Sequence, residues 1–475
     1  MNKFKYSIIG IISLVLISSC KLPSLIQRTE NKSVSSSYNG SLDTTNSGKL
    51  KWKEYFTDPN LIALIDTALN NNQELNILLQ EINISTNEIM ARKGAYLPFV
   101  GVFGGVSTAK SGRYTSNGAN EESNQIVDGK KNPSFISDYI VSANATWEVD
   151  IWKKLRNSKK SAVYQYLSSI EGKNFMITNL IAEISNSYYE LLALDNQLEI
   201  LQKNIEIQKN ALEIVKMEKE AAKVTELAVK KFEAEVLKNQ SHQYFLRQQI
   251  TITENQINFL VGRFPQTVKR NSQGFSDIVI DSVYAGIPSQ LLENRPDIRQ
   301  AEQSLLAAKL DVKVAKANFY PSLVINANFG TQAFQPQYLA NLPASLISTI
   351  VGGAFAPLVN RNALKANYLS SNSKQTQAIY NYERAILNGF IEVSNQLSNI
   401  ENLKKNYELK TKQVAALTES IEISTGLFKS ARADYMEVLL TQRDALEAKF
   451  DLIETKMQQM NAKVNIYRAL GGGWN

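Results

Sequence analysis

A membrane β-barrel joined to a long α-helical barrel, built from two structural repeats in one chain, is the fold class that these 475 residues predict. Three observations carry it. Two pairs of roughly ten-residue segments alternate apolar with polar residues, the dyad pattern of strands that have lipid on one side and water on the other. Each pair is followed by a helical stretch of about 65 residues, roughly 100 Å long at 1.5 Å per residue. The order also recurs. "ARKGAYLPFVGVFGG" (91–105) matches "VAKANFYPSLVINANFG" (314–330), and "TELAVKKFEAEVLKNQ" (225–240) matches "MEVLLTQRDALEAKFD" (436–451) at an offset near 211.

The chain opens with Lys3 and Lys5, an apolar run from Ile8 to Ile17, then Ser18, Ser19 and the single cysteine, Cys20. This is the layout of an export signal whose apolar run is too short to span a bilayer. Residues 1–19 are read as the signal peptide and 20–58 as an N-terminal tether, with Ser, Asn and Thr predicting flexibility over 22–50. One cysteine makes no internal disulfide. With one histidine beside it (His242), the usual ligand set for a structural zinc site is missing.

The first repeat spans 59–270. Leu61 to Arg92 is expected to be helical, with Asp58 as N-cap and Pro59 at the first helical position. A β-hairpin covers 99–152, with strands Phe99–Thr108 and Tyr139–Trp152. A helix from Ser158 to about Lys223 and a return helix Thr225–Phe259 follow. A linker at 271–287 leads to the second repeat, 288–475. Its helix is Pro296–Asn318, its β-hairpin 323–358, its long helix Arg361–Lys429 and its return helix Tyr435–Leu470. "NFLVG" (258–262) and "YRALGG" (467–472) end the two return helices in parallel.

The helical periodicity is that of packed coils. Leu198, Leu201, Ile205, Gln208, Leu212 and Val215 form a 3,4 seam, and Ile200, Ile207 and Ile214 form a second stripe. Two stripes fit a ring of helices, although a generic coiled coil has the same pattern. The strands decide against it. In 139–150, Tyr139, Val141, Ala143, Ala145, Trp147 and Val149 alternate with Ile140, Ser142, Asn144, Thr146, Glu148 and Asp150. Four strands cannot close a barrel, and an open edge is not tolerated in lipid, so closure calls for further copies of the chain.

Composition removes other classes. Basic and acidic residues interleave, as in "KMEKEAAKVTELAVKKFEAE", which is a solvated helix face rather than a nucleic-acid stripe. Neither a phosphate loop nor GxSxG nor HExxH occurs, so the sequence predicts no enzyme and no cofactor.

"IPSQLLENRPDIRQAE" (287–302), "YRALGGGW" (467–474) and "WEVDIWKKLRN" (147–157) resemble signatures of the outer-membrane efflux lipoprotein family, OprM/TolC-like and NodT-type. The resemblance covers essentially the whole mature chain. It implies a homotrimer that closes a 12-stranded barrel and a 12-helix periplasmic tube. It also implies the exit duct of a tripartite pump for drugs or other small molecules, joined by a periplasmic adaptor (membrane fusion protein) to an inner-membrane RND-type transporter. "ISSC" is similar to a lipobox, which makes Cys20 the acylated N-terminus, and Lys21 after it leans towards the outer membrane. Arg295, Pro296 and Asp297 match the signature's core and are read as structural. The alternatives are a type I secretion or metal-efflux duct and, from another class, a lipid-anchored coiled-coil structural protein.

A long tube needs a closed state. Its tips are the turns at Lys223–Glu226 and Ala431–Glu437. Threefold symmetry would gather three copies of Asp434, where clustered carboxylates attract cations. Arg432 and Tyr435 are candidates to hold that turn closed against a neighbouring chain. Relatives carry acidic residues near this place, and Ala433 is the other register for the match. The plainer reading is that Asp434 and Arg432 are solvated turn residues. Lys223, Thr225, Glu226 and Ala433 are candidate adaptor-docking positions. Family members often carry Gly at the first turn, whereas "EAAKVTEL" has none.

Overall fold

The computed structural model describes residues 22–38, 40, 43–279, 283–430 and 432–474. Cys20, the signal segment 1–19 and Ala431 lie outside the described residues. Ten α-helices and six strands run along the described chain: α1 (Trp52–Tyr55), α2 (Pro59–Asn71), α3 (Gln73–Tyr96), β1 (Phe99–Ala109), α4 (Ser116–Ser123), β2 (Gln125–Val127), β3 (Lys130–Lys131), β4 (Ile136–Val149), α5 (Lys154–Glu220), α6 (Glu226–Val261), α7 (Leu291–Asn294), α8 (Pro296–Ala317), β5 (Ser322–Ala333), β6 (Leu346–Phe355), α9 (Asn362–Lys429) and α10 (Tyr435–Ala469). Helix, two strands, long helix and return helix thus occur twice. Two compact units result. One takes the described part of Met1–Thr29 with Asn83–Leu167 and Gln303–Ile379; the other takes Glu30–Ile82, Ser168–Glu302 and Tyr380–Asn475.

The first unit holds one antiparallel sheet in the order β1-β4-β5-β6. Its register puts Val100 beside Ala145, Ala145 beside Ala327, and Ala327 beside Ile350, so one face carries a row of apolar residues across all four strands. Val102 and Ile350 on that face are more than four-fifths exposed, which a water-facing sheet would not tolerate as a continuous patch. The opposite face is bonded through side chains. Asn328 Nδ2 donates to Asn144 Oδ1 at 2.6 Å and Thr146 Oγ1 to Asn326 Oδ1 at 3.1 Å. The outer edges of β1 and β6 carry no partner strand among the described residues.

The second unit packs the helices. The predicted seam is buried from Leu201 onward: Leu201, Ile205, Gln208, Leu212 and Val215 are inside and Leu198 is partly buried, while Ile207 and Ile214 of the second stripe stay about half exposed. Gln208 keeps its place there because Asn239 Nδ2 donates to its Oε1 at 2.8 Å. Asp58 Oδ1 accepts from Asn60 N at 2.8 Å, so the N-cap of α2 forms where Asp-Pro predicts it. The return helices both end on left-handed glycines, Gly262 at φ 75° and Gly471 at φ 84°. A Cβ at Gly262 would stand 2.4 Å from Asn71 O, and one at Gly471 would stand 2.6 Å from Asn294 O.

Four sequence expectations are corrected. Leu61–Arg92 is not one helix, because buried Asn72 donates to Leu260 O at 2.8 Å and accepts from Leu75 N, ending α2 and starting α3. The strand expected to reach Trp152 stops at Val149, since Asp150 turns to accept from Leu155 N and Arg156 N, both at 2.9 Å, and α5 begins four residues early at Lys154. Residues 109–134, whose Ser, Gly and Asn predict an exposed loop, fold locally into α4 and the β2–β3 hairpin. The described residues of segment 22–50 are docked rather than free. Leu22 and Leu25 pack on Val312, Phe319 and Tyr368, and Tyr38 stacks on Phe390 with centroids 5.4 Å apart. A few apolar side chains suffice to hold a segment whose average composition predicts flexibility.

Candidate functional site

Two turns reverse the four long helices, and they are built alike. At the end of α5, Lys223 N donates to Glu218 O at 2.9 Å. At the end of α9, Arg432 N donates to Leu427 O at 2.9 Å. Both close a ring reaching five residues back, the Schellman pattern that satisfies the last carbonyls of a helix. Thr225 and Asp434 then stand as the N-caps of α6 and α10, neither with a side-chain capping bond. The turns therefore superpose at an offset of 209, from Thr225 to Asp434, rather than the 211 of the helix match. Arg432 occupies the place of Lys223, and Ala433 that of Val224.

The Schellman turn puts Ala222 at φ 55°, the left-handed region that glycine enters without steric cost. The absent glycine was thus a real departure, and alanine bears the strain. Ala222→Gly is expected to raise the unfolding free energy by about 0.5–1 kcal/mol in thermal melts; a lower melting temperature would refute the strain.

The sequence-predicted residues fall into two groups. Tyr435 and Val224 pack on Leu212, Val215, Ala228, Val229, Phe232, Val236 and Leu439, which closes the tip of α5, α6 and α10 on an apolar cluster. Lys223, Thr225, Glu226, Arg432 and Asp434 are exposed, and Ala433 is half-buried. Among the described residues neither Arg432 nor Asp434 has a side-chain partner within the chain. Glu226 is engaged: Lys219 Nζ lies 2.9 Å from its carboxylate across the first turn. That hydrogen bond and the charge behind it hold the Glu226 carboxyl below its ordinary range. The seven-residue spacing of Lys219 and Glu226 spans a turn, so no helical rule flags the pair. Among the described residues no group of His, Cys, Asp and Glu could hold a metal ion, and no helix is long and apolar enough to cross a membrane.

The family profile of the outer membrane efflux proteins matches residues 64–263 and 287–472. This chain belongs to that family. Its members are outer-membrane efflux channels rather than enzymes. The chain is similar to the pyoverdine export outer membrane protein OpmQ of Pseudomonas putida, with 26% identity over 424 residues, 89% of this chain and 88% of that one. It is also similar to the cation efflux system protein CusC of Escherichia coli K12, with 22% identity over 425 residues, 89% of this chain and 88% of that one. A membrane protein from Pseudomonas aeruginosa has the same fold, with a TM-score of 0.85 at 22% identity over 95% of this chain and all of that one.

Proposed function

We propose that the protein is the exit duct of a tripartite efflux pump, a homotrimer whose three sheets close a 12-stranded barrel in the outer membrane above a 12-helix periplasmic tube. The carrying observation is the open four-stranded sheet, with an apolar row on one face and side-chain amide bonds on the other, and with β1 and β6 unpaired at its edges among the described residues. Unpaired edges are not tolerated in lipid, and an edge-to-edge ring of copies removes them. Conduction is passive, and energy and selectivity belong to an inner-membrane RND-type transporter reached through a periplasmic adaptor at the two turns, near Lys223, Thr225, Glu226 and Ala433. That division of labour fits relatives named for cargoes as unlike as pyoverdine and cations. The domain boundaries proposed above follow the two repeats, 59–270 and 288–475. The purified protein is expected to run as a heat-labile trimer on gels and to give single-channel conductance in planar bilayers. A monomer without conductance would instead support a lipid-anchored scaffold.

Cys20 is the proposed lipid attachment site. Several acyl chains anchor a protein far better than one, and the barrel adds its own hold on the membrane. Cys20→Ala is expected to abolish labelling by radioactive palmitate, whereas undiminished labelling would exclude Cys20.

A further inference from the structure

One end of the sheet meets all four helices that join it. The register puts Phe99 beside Thr146, Val149 beside Leu323 and Ser322 beside Phe355. The end of α3, the start of α5, the end of α8 and the start of α9 therefore gather at that end of the first unit. Segments 92–97, 148–161, 311–322 and 355–366 make these junctions and hold eleven basic side chains against three acidic ones. The acids are already committed. Glu148 pairs with Lys154, Asp150 pairs with Arg156 at 3.1 Å, and Asp311 accepts from Ser161 Oγ at 2.6 Å. Lys93, Lys153, Lys160, Lys313, Lys316 and Lys365 are exposed, and among the described residues none has a carboxylate partner.

Two features set this excess apart from a solvated surface. A helix dipole favours anions at its N-terminus, and α6 and α10 follow that rule with Glu226 and Glu437 in their first turns. Helices α5 and α9, which start at the sheet, have no acid in the first turn and carry Lys154, Arg156 and Lys365 there instead. Lys153 is also held at φ 59°, in the left-handed region, just ahead of α5. The second repeat has Asn360 at φ 52° just ahead of α9, and asparagine enters that region at less cost. Lysines kept against both the dipole and the backbone fit an anion supplied from outside the chain.

The same end is built for a membrane interface. Trp147 lies beside Ile325 on the apolar face and donates Nε1 to Tyr96 O at 3.2 Å. Trp152 is about half exposed, stacks on Tyr320 with centroids 4.8 Å apart and donates Nε1 to Pro321 O at 2.7 Å. Tryptophan and tyrosine collect where hydrocarbon gives way to headgroups. The docked N-terminal segment marks the level independently. Leu22 packs against Val312, Phe319 and Tyr368, and Lys316 and Lys365 share those helix faces at spacings of three and four. Cys20, the proposed lipid attachment site, is two residues ahead of Leu22, at most about 7 Å of chain.

We propose that these lysines form a collar that binds anionic phospholipid headgroups of the periplasmic leaflet and fixes how deep the barrel sits. The collar rests on the duct reading and adds a ligand to it. Phosphodiester oxygens supply the anions that the starts of α5 and α9 lack, while the acyl chains lie along the apolar face of the sheet past Trp147.

Full-length protein in bilayers that mix brominated phosphatidylglycerol with ordinary phosphatidylcholine tests this. Bromine quenches tryptophan in contact with it, so Trp147 and Trp152 report which lipid lies against the collar. Wild type is expected to prefer phosphatidylglycerol about tenfold at low salt and much less at high salt. Replacing Lys93, Lys160, Lys316 and Lys365 together by Gln is expected to abolish the preference, since one lysine beside a headgroup is worth about fivefold. Lys153→Asn is expected to weaken the preference about fivefold while raising the melting temperature, because it relieves the backbone. If the fourfold variant fails to reconstitute, Lys153→Asn decides alone, and a higher melting temperature with unchanged preference would overturn the collar. Unchanged quenching in the fourfold variant would also overturn it. So would an equal loss when the exposed Lys209, Lys231, Lys404 and Lys412 of the second unit are replaced instead. A wild type that does not conduct would overturn the duct reading. A conducting wild type that takes both lipids equally would overturn only the collar and turn its lysines towards an acidic protein surface.

Discussion

Arg295→Met is expected to cost about 3–5 kcal/mol of folding stability, the range for removing one partner of a buried ion pair. Arg295 is 4% exposed, and its guanidinium makes four hydrogen bonds. Nε and Nη2 fork onto Asp297 at 3.0 and 2.7 Å. Nη1 reaches Glu392 at 2.7 Å and Ala469 O at 2.9 Å. Burial works against the charge, but the bonds to Asp297 and the charges of Asp297 and Glu392 outweigh it and hold the guanidinium above even its ordinary high pKa. Methionine fills the volume and leaves two carboxylates and a carbonyl facing no donor. Arg295→Lys supplies one ammonium in place of a planar fork and is expected to recover only part of the loss. Thermal or denaturant unfolding of the protein, followed by helical circular dichroism, measures both. A methionine variant within about 1 kcal/mol of wild type would contradict the structural role assigned to this motif.

The same cluster explains what was legible in the sequence. "NRPDIRQ" and "RALGGGW" stand out as motifs more than 150 residues apart, and nothing in their spacing says that they meet. In the fold, Trp474 Nε1 donates to Asn294 O at 3.1 Å, and Arg299 lies 5.0 Å over the Trp474 ring while paired to Glu171. Local rules reach such elements one at a time. Asp58-Pro59, the Gly262 and Gly471 ends, the coiled-coil seam and the strand alternation each follow from contacts within a few residues. The breaks at Asn72 and Asp150 were not legible, because each depends on whether one side chain bonds its own backbone or continues the element. The bonds that residues 266–278 make to the long helices were equally hidden. Arg270, Tyr407 and Lys456 have no mutual spacing, and Lys456 looks like any lysine on a charged helix until burial is known. At the turns, the sequence identified the residues, while the fold distinguished their states: Tyr435 packed, Glu226 paired, Arg432 and Asp434 solvent-facing.

Asp434→Ala combined with Arg432→Ala is expected to raise single-channel conductance and to let cells admit large antibiotics such as vancomycin. The reasoning starts from what those side chains do not do. Each is exposed, and among the described residues neither bonds within its own chain, although the turn between them is held by backbone bonds and by Tyr435 in the apolar cluster beneath. Removing both therefore leaves the turn folded, which separates an effect on the gate from an effect on stability. In the proposed trimer three copies of each face one aperture, and the gate reading has Arg432 hold the turn closed by an ion pair to a neighbouring copy. Exposed ion pairs contribute about 0.2–1 kcal/mol each, so three acting together bias the closed state by about 0.6–3 kcal/mol, roughly a threefold to 150-fold change in population. High salt should mimic part of the double substitution, since screening weakens solvent-exposed pairs. Asp434→Ala alone should also weaken cation preference, as clustered carboxylates attract cations. Conductance and cation preference that both match wild type would remove Asp434 and Arg432 from the gate. Lys223 would then be the next residue to change, ahead of Glu226, whose carboxylate is already committed to Lys219.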